Sequence, residues 1–240
     1  MKKTTFKSDE YVYSNSFEPN LTSNLIADTL ENIDVEDKDI LDLGCGCGAL
    51  GLSLIKSNPK SVLLADISTG AIDDCNLNIK NHTSRIKKIK VSTMVSDCFN
   101  KIPPNKKYDL IINDISGISE DVASLSPWFN NAPCNSDANG LKFFKKVIIE
   151  AEPFLKEEGI LASPLISLSN INEARSFLDD KLKNYTTSVK KNWFLPEDMN
   201  EKYKSILEEQ VDIGNICLDY KFGKFIAWTQ VLLIKKGAYK

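Results

Sequence analysis

The run Asp39-Ile40-Leu41-Asp42-Leu43-Gly44-Cys45-Gly46-Cys47-Gly48 decides the fold. Its first five residues read as a buried strand, and the glycines after them break it. Apolar residues then return at helical spacing from Ala49 to Ser57, until Asn58-Pro59 ends the helix. A strand, a glycine loop and a helix in that order form a ligand cradle. The glycines permit a tight turn and a close approach of backbone to ligand. The helix start beyond them offers free N–H groups to a carboxylate or a phosphate.

The same alternation continues outward. Ser61 to Ala65 is a second strand, and Ser68 or Thr69 caps a helix over about Ala71 to Lys80. Ile89 to Val95 and Tyr108 to Asn113 are the third and fourth strands. Gly140 to Leu155 is an amphipathic helix, Gly159 to Ala162 opens a fifth strand, and Asn170 to Leu182 is a further helix. This order predicts an α/β fold with a mostly parallel sheet and helices on both faces. The tail differs: Tyr185 to Val189 alternates and Ile226 to Ile234 is a long apolar strand, which together predict an antiparallel C-terminal hairpin. Residues 191–224 read as an insertion, helical around Glu197 to Gln210. Residues 1–37 read as a helical N-terminal arm over the active site, with Leu21 to Leu30 amphipathic, ahead of a main domain at 38–240.

The loop alone leaves two ligands open, because Gly44-x-Gly46-x-x-Ala49 also satisfies a relaxed dinucleotide fingerprint. Acids at three successive strand ends favour S-adenosylmethionine. Asp42 precedes the first glycine, where a carboxylate reaches the cofactor's ammonium group directly or through water. Asp66, with Ile67 beside it, ends the second strand and can accept both ribose hydroxyls. Asp97 follows the third and can take the adenine amino group, with Cys98 or Phe99 packed on the ring. A row of carboxylates is hard to reconcile with the pyrophosphate of a dinucleotide.

The segment Ile40 to Lys56 resembles motif I of class I methyltransferases, and Asp66 and Asp97 resemble their second and third motifs. The likeness is closer to the branch that holds the release-factor glutamine methyltransferases and the small-domain methyltransferases. It rests on Val12-Tyr13-Ser14-Asn15-Ser16-Phe17-Glu18-Pro19 upstream and on Ala138-Asn139-Gly140-Leu141-Lys142-Phe143-Phe144, and spans roughly residues 12–170. It implies a Rossmann-like sheet of seven strands and a cofactor site that includes Gly44, Gly46 and Gly48.

The branch carries Asn/Asp-Pro-Pro-Tyr after its fourth strand, where this chain reads Asp114-Ile115-Ser116-Gly117. Aligned by strand phase, Asp114 takes the Asn/Asp place, as acceptor of a hydrogen bond from the nucleophile or as a base. Asn113 is second in rank, and a register shift of one would turn it to the methyl. Both prolines and the stacking aromatic are replaced, so Phe17, Ser116, Trp128 and Phe129 are the candidates for the substrate wall. The expected acceptor is a small metabolite with an N or O nucleophile; the alternative is a protein glutamine. Readings of another class are a nicotinamide-dependent oxidoreductase and a non-catalytic cofactor-binding protein.

Composition narrows this further. The 240 residues are 42% hydrophobic and 26% charged, ordinary for a globular chain. No apolar run approaches the roughly 18 residues of a membrane span, and the first ten residues lack the apolar core of a signal peptide. A cytoplasmic, reduced setting is expected. A net charge of -3 argues against a nucleic-acid partner. The one basic cluster, Arg85-Ile86-Lys87-Lys88-Ile89-Lys90, reads as a strand with a solvated lysine face. Cysteines stand at 45, 47, 75, 98, 134 and 217, and Cys45-Gly46-Cys47 lacks a second Cys/His pair nearby. No metal site is expected. His82, the single histidine, reads as a surface helix terminus.

Overall fold

The computed structural model describes residues 1–240 except 83–85, 87–88, 116 and 130–133. Five parallel strands make its centre: β3 (Asp39–Leu43), β4 (Ser61–Asp66), β5 (Lys90–Val95), β6 (Tyr108–Asn113) and β7 (Leu155–Ile166). Their order is β7-β6-β3-β4-β5, and β11 (Lys224–Lys235) adds antiparallel beside β7. Because β3 sits centrally, its loop opens where the chain turns to β4 on one side and β6 on the other. That is the switch point at which open α/β sheets bind ligands.

Helices cover both faces, and a short helix, α4 (Glu120–Leu125), stands in the connection after β6. On one lie α5 (Lys142–Ala151) and α6 (Ile171–Lys181), which bury Phe144, Val147, Ile148, Ala174 and Leu178 against Ile111 and Leu161. On the other lie α1 (Leu21–Leu30), α2 (Ala49–Ser53) and α3 (Thr69–Asn81), which bury Ile26, Leu30, Leu50, Leu52 and Cys75 against Ile40, Val62 and Leu64. Central strands with both faces covered are apolar throughout, as in Leu110-Ile111-Ile112. Ser68 caps α3 by accepting from the Ala71 N–H, and Asn170 caps α6 by accepting from Glu173.

Two expectations are corrected here. The N-terminal arm is not helical throughout. It opens with a hairpin of β1 (Lys2–Phe6) and β2 (Asp9–Tyr13), then α1. Phe6 and Tyr11 are buried in the same cluster as Ile40 and Leu50, so the arm is packed on the body. The expected C-terminal hairpin is also more elaborate. Three short strands, β8 (Thr186–Thr187), β9 (Lys191–Phe194) and β10 (Asp219–Lys221), each pair with β11, which brings the sheet to nine strands. Between β9 and β10 the insertion folds as α7 (Glu197–Lys202) and α8 (Lys204–Asp212). Of the basic cluster, 85, 87 and 88 lie outside the described residues, and the third strand starts at Lys90. Among the described residues no helix is long and apolar enough to cross a membrane.

Candidate active site

A cleft of about 540 Å³ lies beyond the C-terminal ends of the parallel strands. One half is walled by Gly44, Cys45, Gly46, Asp66, Ile67, Asp97 and Cys98. Gly44 and Cys45 donate to the Ala65 carbonyl, which fixes the start of the loop against β4. Gly44, at φ +70°, leaves no room for a β-carbon because Ile115 Cγ1 would stand 2.7 Å from it. Gly46 differs: a β-carbon there meets only the Phe17 carbonyl, at 3.7 Å, and points into free space. Asp66 sits opposite, its two carboxylate oxygens accepting the Gly46 N–H at 3.0 Å and the Ser68 N–H at 2.9 Å. Burial raises its pKa. Ile67 is 64% exposed, an apolar surface turned outward beside that carboxylate. Asp97 accepts from Asn100 at 3.1 Å and pairs with Lys146, also at 3.1 Å. Cys98 adopts φ +47° after the Ser96 hydroxyl donates to its carbonyl, which turns the chain sharply at the end of β5.

Not every residue expected at this surface reaches it. Asp42 is fully buried beneath the loop, where one oxygen accepts from Gly51 N–H at 2.9 Å and the other has no partner. Burial, then the nearby Asp114 carboxylate, pushes its pKa up to about 8. A neutral acid below the loop is poorly suited to hold an ammonium group. Gly48 lies away from the cleft as well. It is the N-cap of α2 at φ +82°, tight against Cys75 Sγ. Phe99 is core: it is 5% exposed and stacks on Phe154 with ring centroids 4.8 Å apart. Cys45 and Cys75 bring their sulfurs to 3.5 Å as free thiols, and burial raises the Cys45 pKa. His82 ends α3, its ring against Tyr11 and its Nε2 3.2 Å from the Glu10 carbonyl.

The other half of the cleft is floored by Asp114. The Leu43 carbonyl accepts its backbone N–H, and the Ser23 hydroxyl donates to its carboxylate at 2.6 Å. Burial raises its pKa to about 7, and the Ser23 bond opposes that rise. Asn113, the alternative, is 2% exposed and points away. Its amide donates to Ser163 Oγ at 2.9 Å and its oxygen accepts from Ile115 N–H at 3.1 Å. Its side chain has the role of a turn brace, which leaves Asp114 as the acid facing the cleft. Phe17 and Phe129 meet edge to face over this half, with centroids 5.1 Å apart. Trp128 meets Trp193 in the same way at 5.8 Å. Ser116 lies outside the described residues.

The sequence reading missed the residues that hold the arm in place. Asp74 on α3 accepts from the Ser14 and Asn15 N–H groups and from the Ser16 hydroxyl. Asn78 bonds Val12 at both its N–H and its carbonyl, and also donates to the Cys47 carbonyl. Together they carry Phe17 over the cofactor loop. Ser23 and Trp193 were also missed. Ser23 had a legible signal, since Asn20-x-x-Ser23 forms a capping box at the start of α1. Trp193 had none, because β9 reaches the cleft only through its pairing with β11.

The methyltransferase small domain family model matches residues 3–114. A release factor glutamine methyltransferase of Streptococcus pneumoniae is 32% identical over 135 residues, which cover 54% of this chain and 46% of that protein. A ribosomal protein uL3 glutamine methyltransferase of Francisella tularensis is 29% identical over 136 residues, 53% of this chain and 41% of that one. The chain thus spans less than half the length of these two curated relatives. Among solved structures, the 16S rRNA N2 G1207 methyltransferase of T. thermophilus, in complex with AdoMet and guanosine, has a TM-score of 0.58 at 14% identity. That match covers 98% of this chain and 49% of that one.

If Asp66 binds cofactor, its two oxygens supply charge-assisted bonds to ribose hydroxyls. Calorimetry on Asp66→Ala should then show S-adenosylmethionine binding weakened by about tenfold or more. Unchanged affinity would leave Asp66 as a brace for Gly46 and Ser68 alone.

Proposed function

We propose that this chain, which has the class I methyltransferase fold and carries the methyltransferase small domain over residues 3–114, moves a methyl group from S-adenosylmethionine to a nitrogen held at Asp114. The observation that carries the proposal is the placement of Asp114. It floors the cleft at the end of β6, while Gly46, Asp66 and Ile67 wall the adjoining half. The residues of that half suit the cofactor, since Gly46 leaves open space where a side chain would stand. When bound, the cofactor supplies an electrophilic sulfonium methyl. The chain's own task is placement, because in-line attack depends on holding the two reactants together. Asp114 accepts the N–H of the nucleophile, and Ser23 keeps one of its oxygens fixed. Asp114 would take the proton that the nitrogen sheds on methylation. The arm, tied down by Asp74 and Asn78, acts as a lid that shields this step from water.

For the acceptor, the relatives support the side-chain amide of a protein glutamine over the small metabolite expected from the sequence. A planar amide fits between the Asp114 carboxylate and an aromatic wall. A second reading, a small acceptor, draws on the rings that close over the cleft and on Gly117, which stands where the branch carries an aromatic. The test is to incubate the chain with methyl-labelled S-adenosylmethionine and purified bacterial release factor. Label on a glutamine side chain is the expected result. Calorimetry that detects NAD or NADP binding but no S-adenosylmethionine would overturn the methyltransferase assignment altogether. Cofactor binding with label on small amines and none on the release factor would overturn the glutamine assignment alone.

A further inference from the structure

The acceptor half of the cleft has a charge and a surface chemistry that select what enters. Four carboxylates line the cleft; Asp66 and Asp97 belong to the half assigned to the cofactor, which leaves Glu18 and Asp114, and among the described residues no Lys, Arg or His lines either half. Lys146 pairs with Asp97, and Lys142 Nζ stands 5.5 Å from the centroid of the Phe143 ring, which lines the cleft. Backbone donors do not make up the difference at the start of α1. Its Thr22 and Ser23 N–H groups already bond the Asn20 side chain.

An anion brought into this space would lose water and meet carboxylates with no cation to offset them, a large cost. A cation or a neutral planar group would find the opposite. Phe17, Phe129, Trp128 and Trp193 present ring faces and edges there. Trp193 has no spare donor, because its indole N–H is bonded to Thr229 Oγ1 at 3.1 Å. Ring faces attract cations through their quadrupole and stack on flat neutral groups.

We infer that the acceptor half of this cleft takes a neutral or cationic nitrogen group carried on a planar or apolar body, and rejects anionic acceptors, phosphate-bearing nucleotides included. The inference rests on the methyltransferase reading and narrows it to acceptors that place no anionic group inside this half of the cleft.

Three probes of one size test it: benzylammonium, benzamide and benzoate. The protein is first titrated with S-adenosylhomocysteine, then saturated with it, and the probes are followed by tryptophan fluorescence at pH 8. Benzylammonium and benzamide should bind, with benzoate weaker by about tenfold or more. Trp128→Ala should weaken the first two by about tenfold, and Trp128→Phe should restore part of the loss. Failure to bind S-adenosylhomocysteine would strike the methyltransferase reading itself. Normal saturation followed by benzoate binding as tightly as benzamide, or by no binding of any probe, would overturn this inference alone. So would guanosine monophosphate binding more tightly than guanosine.

Discussion

Replacing Asp114 by alanine should lower methyl transfer by about a hundredfold or more, the lower part of the range for a positioned general base, while S-adenosylmethionine affinity stays within about twofold. The two effects separate because Asp114 follows β6, on the opposite side of β3 from the β4 end that carries Asp66. Asp114→Asn distinguishes orientation from proton removal. It keeps an oxygen that can accept an N–H but cannot take a proton. Full retention of turnover in Asp114→Asn would assign the residue to orientation and remove it as the acceptor of the proton. A loss as deep as that of alanine would assign it to proton removal.

The pH profile carries the same information with a defined sign. Burial raises the Asp114 pKa to about 7. The base is the ionised form, so kcat should fall as pH drops through about 7, and that acid limb should vanish in Asp114→Asn. The raised value also means that ionising Asp114 works against the fold. Its stabilising, protonated state is complete below the unfolded carboxylate pKa and is lost as pH rises through about 7. Full turnover in both variants on the true acceptor would remove Asp114 from the chemistry. The nucleophile would then be held by the loop between β6 and α5, since Asn113 is already spent on Ser163 and Ile115.

What was legible in the sequence is what local patterns encode. Tyr108 to Asn113 centres on the apolar run Leu110-Ile111-Ile112 after Pro103-Pro104, and the strand has those bounds. The strand-glycine-helix order located the cleft, and Asp66 and Asp97 were found on its wall because strand ends in a parallel sheet converge there. What failed depended on which way a side chain turns. Asp42 has the right neighbours in the chain but faces Gly51 on the buried side of the loop. Phe99 follows an acid at a strand end, yet the left-handed turn at Cys98 drives its ring into the core beside Phe154. The β1–β2 hairpin was missed because Lys7 and Ser8 both adopt positive φ, +48° and +69°, without the Asn-Gly signature such turns usually carry. Burial of Phe6 and Tyr11 beneath it compensates for that strain, and such a long-range term leaves no mark on the local sequence.

A second large effect is expected at Gly46, whose variants separate cofactor space from backbone strain. At φ +53° any side chain costs roughly 1 kcal/mol, more for a β-branched one. The space around the β-carbon is open, with only the Phe17 carbonyl at 3.7 Å, so Gly46→Ala should fold and lose little beyond that strain. Gly46→Val adds two methyl groups that extend from the loop into the cleft beside Asp66, where the ribose is expected. Calorimetry should therefore show affinity for S-adenosylmethionine falling by about a hundredfold or more in the valine variant. Circular dichroism should match that of Gly46→Ala, with a melting temperature lower only by the extra strain of the branched side chain. The neighbouring Gly44→Ala is the counterpart in which strain and clash coincide. Its β-carbon would stand 2.7 Å from Ile115 Cγ1 and 3.0 Å from the Ile115 backbone, so it should destabilise the fold as well as the site. Gly46→Val that binds the cofactor normally would mean that the open space beside Asp66 holds something else, and the cofactor half of the cleft would have to be reassigned.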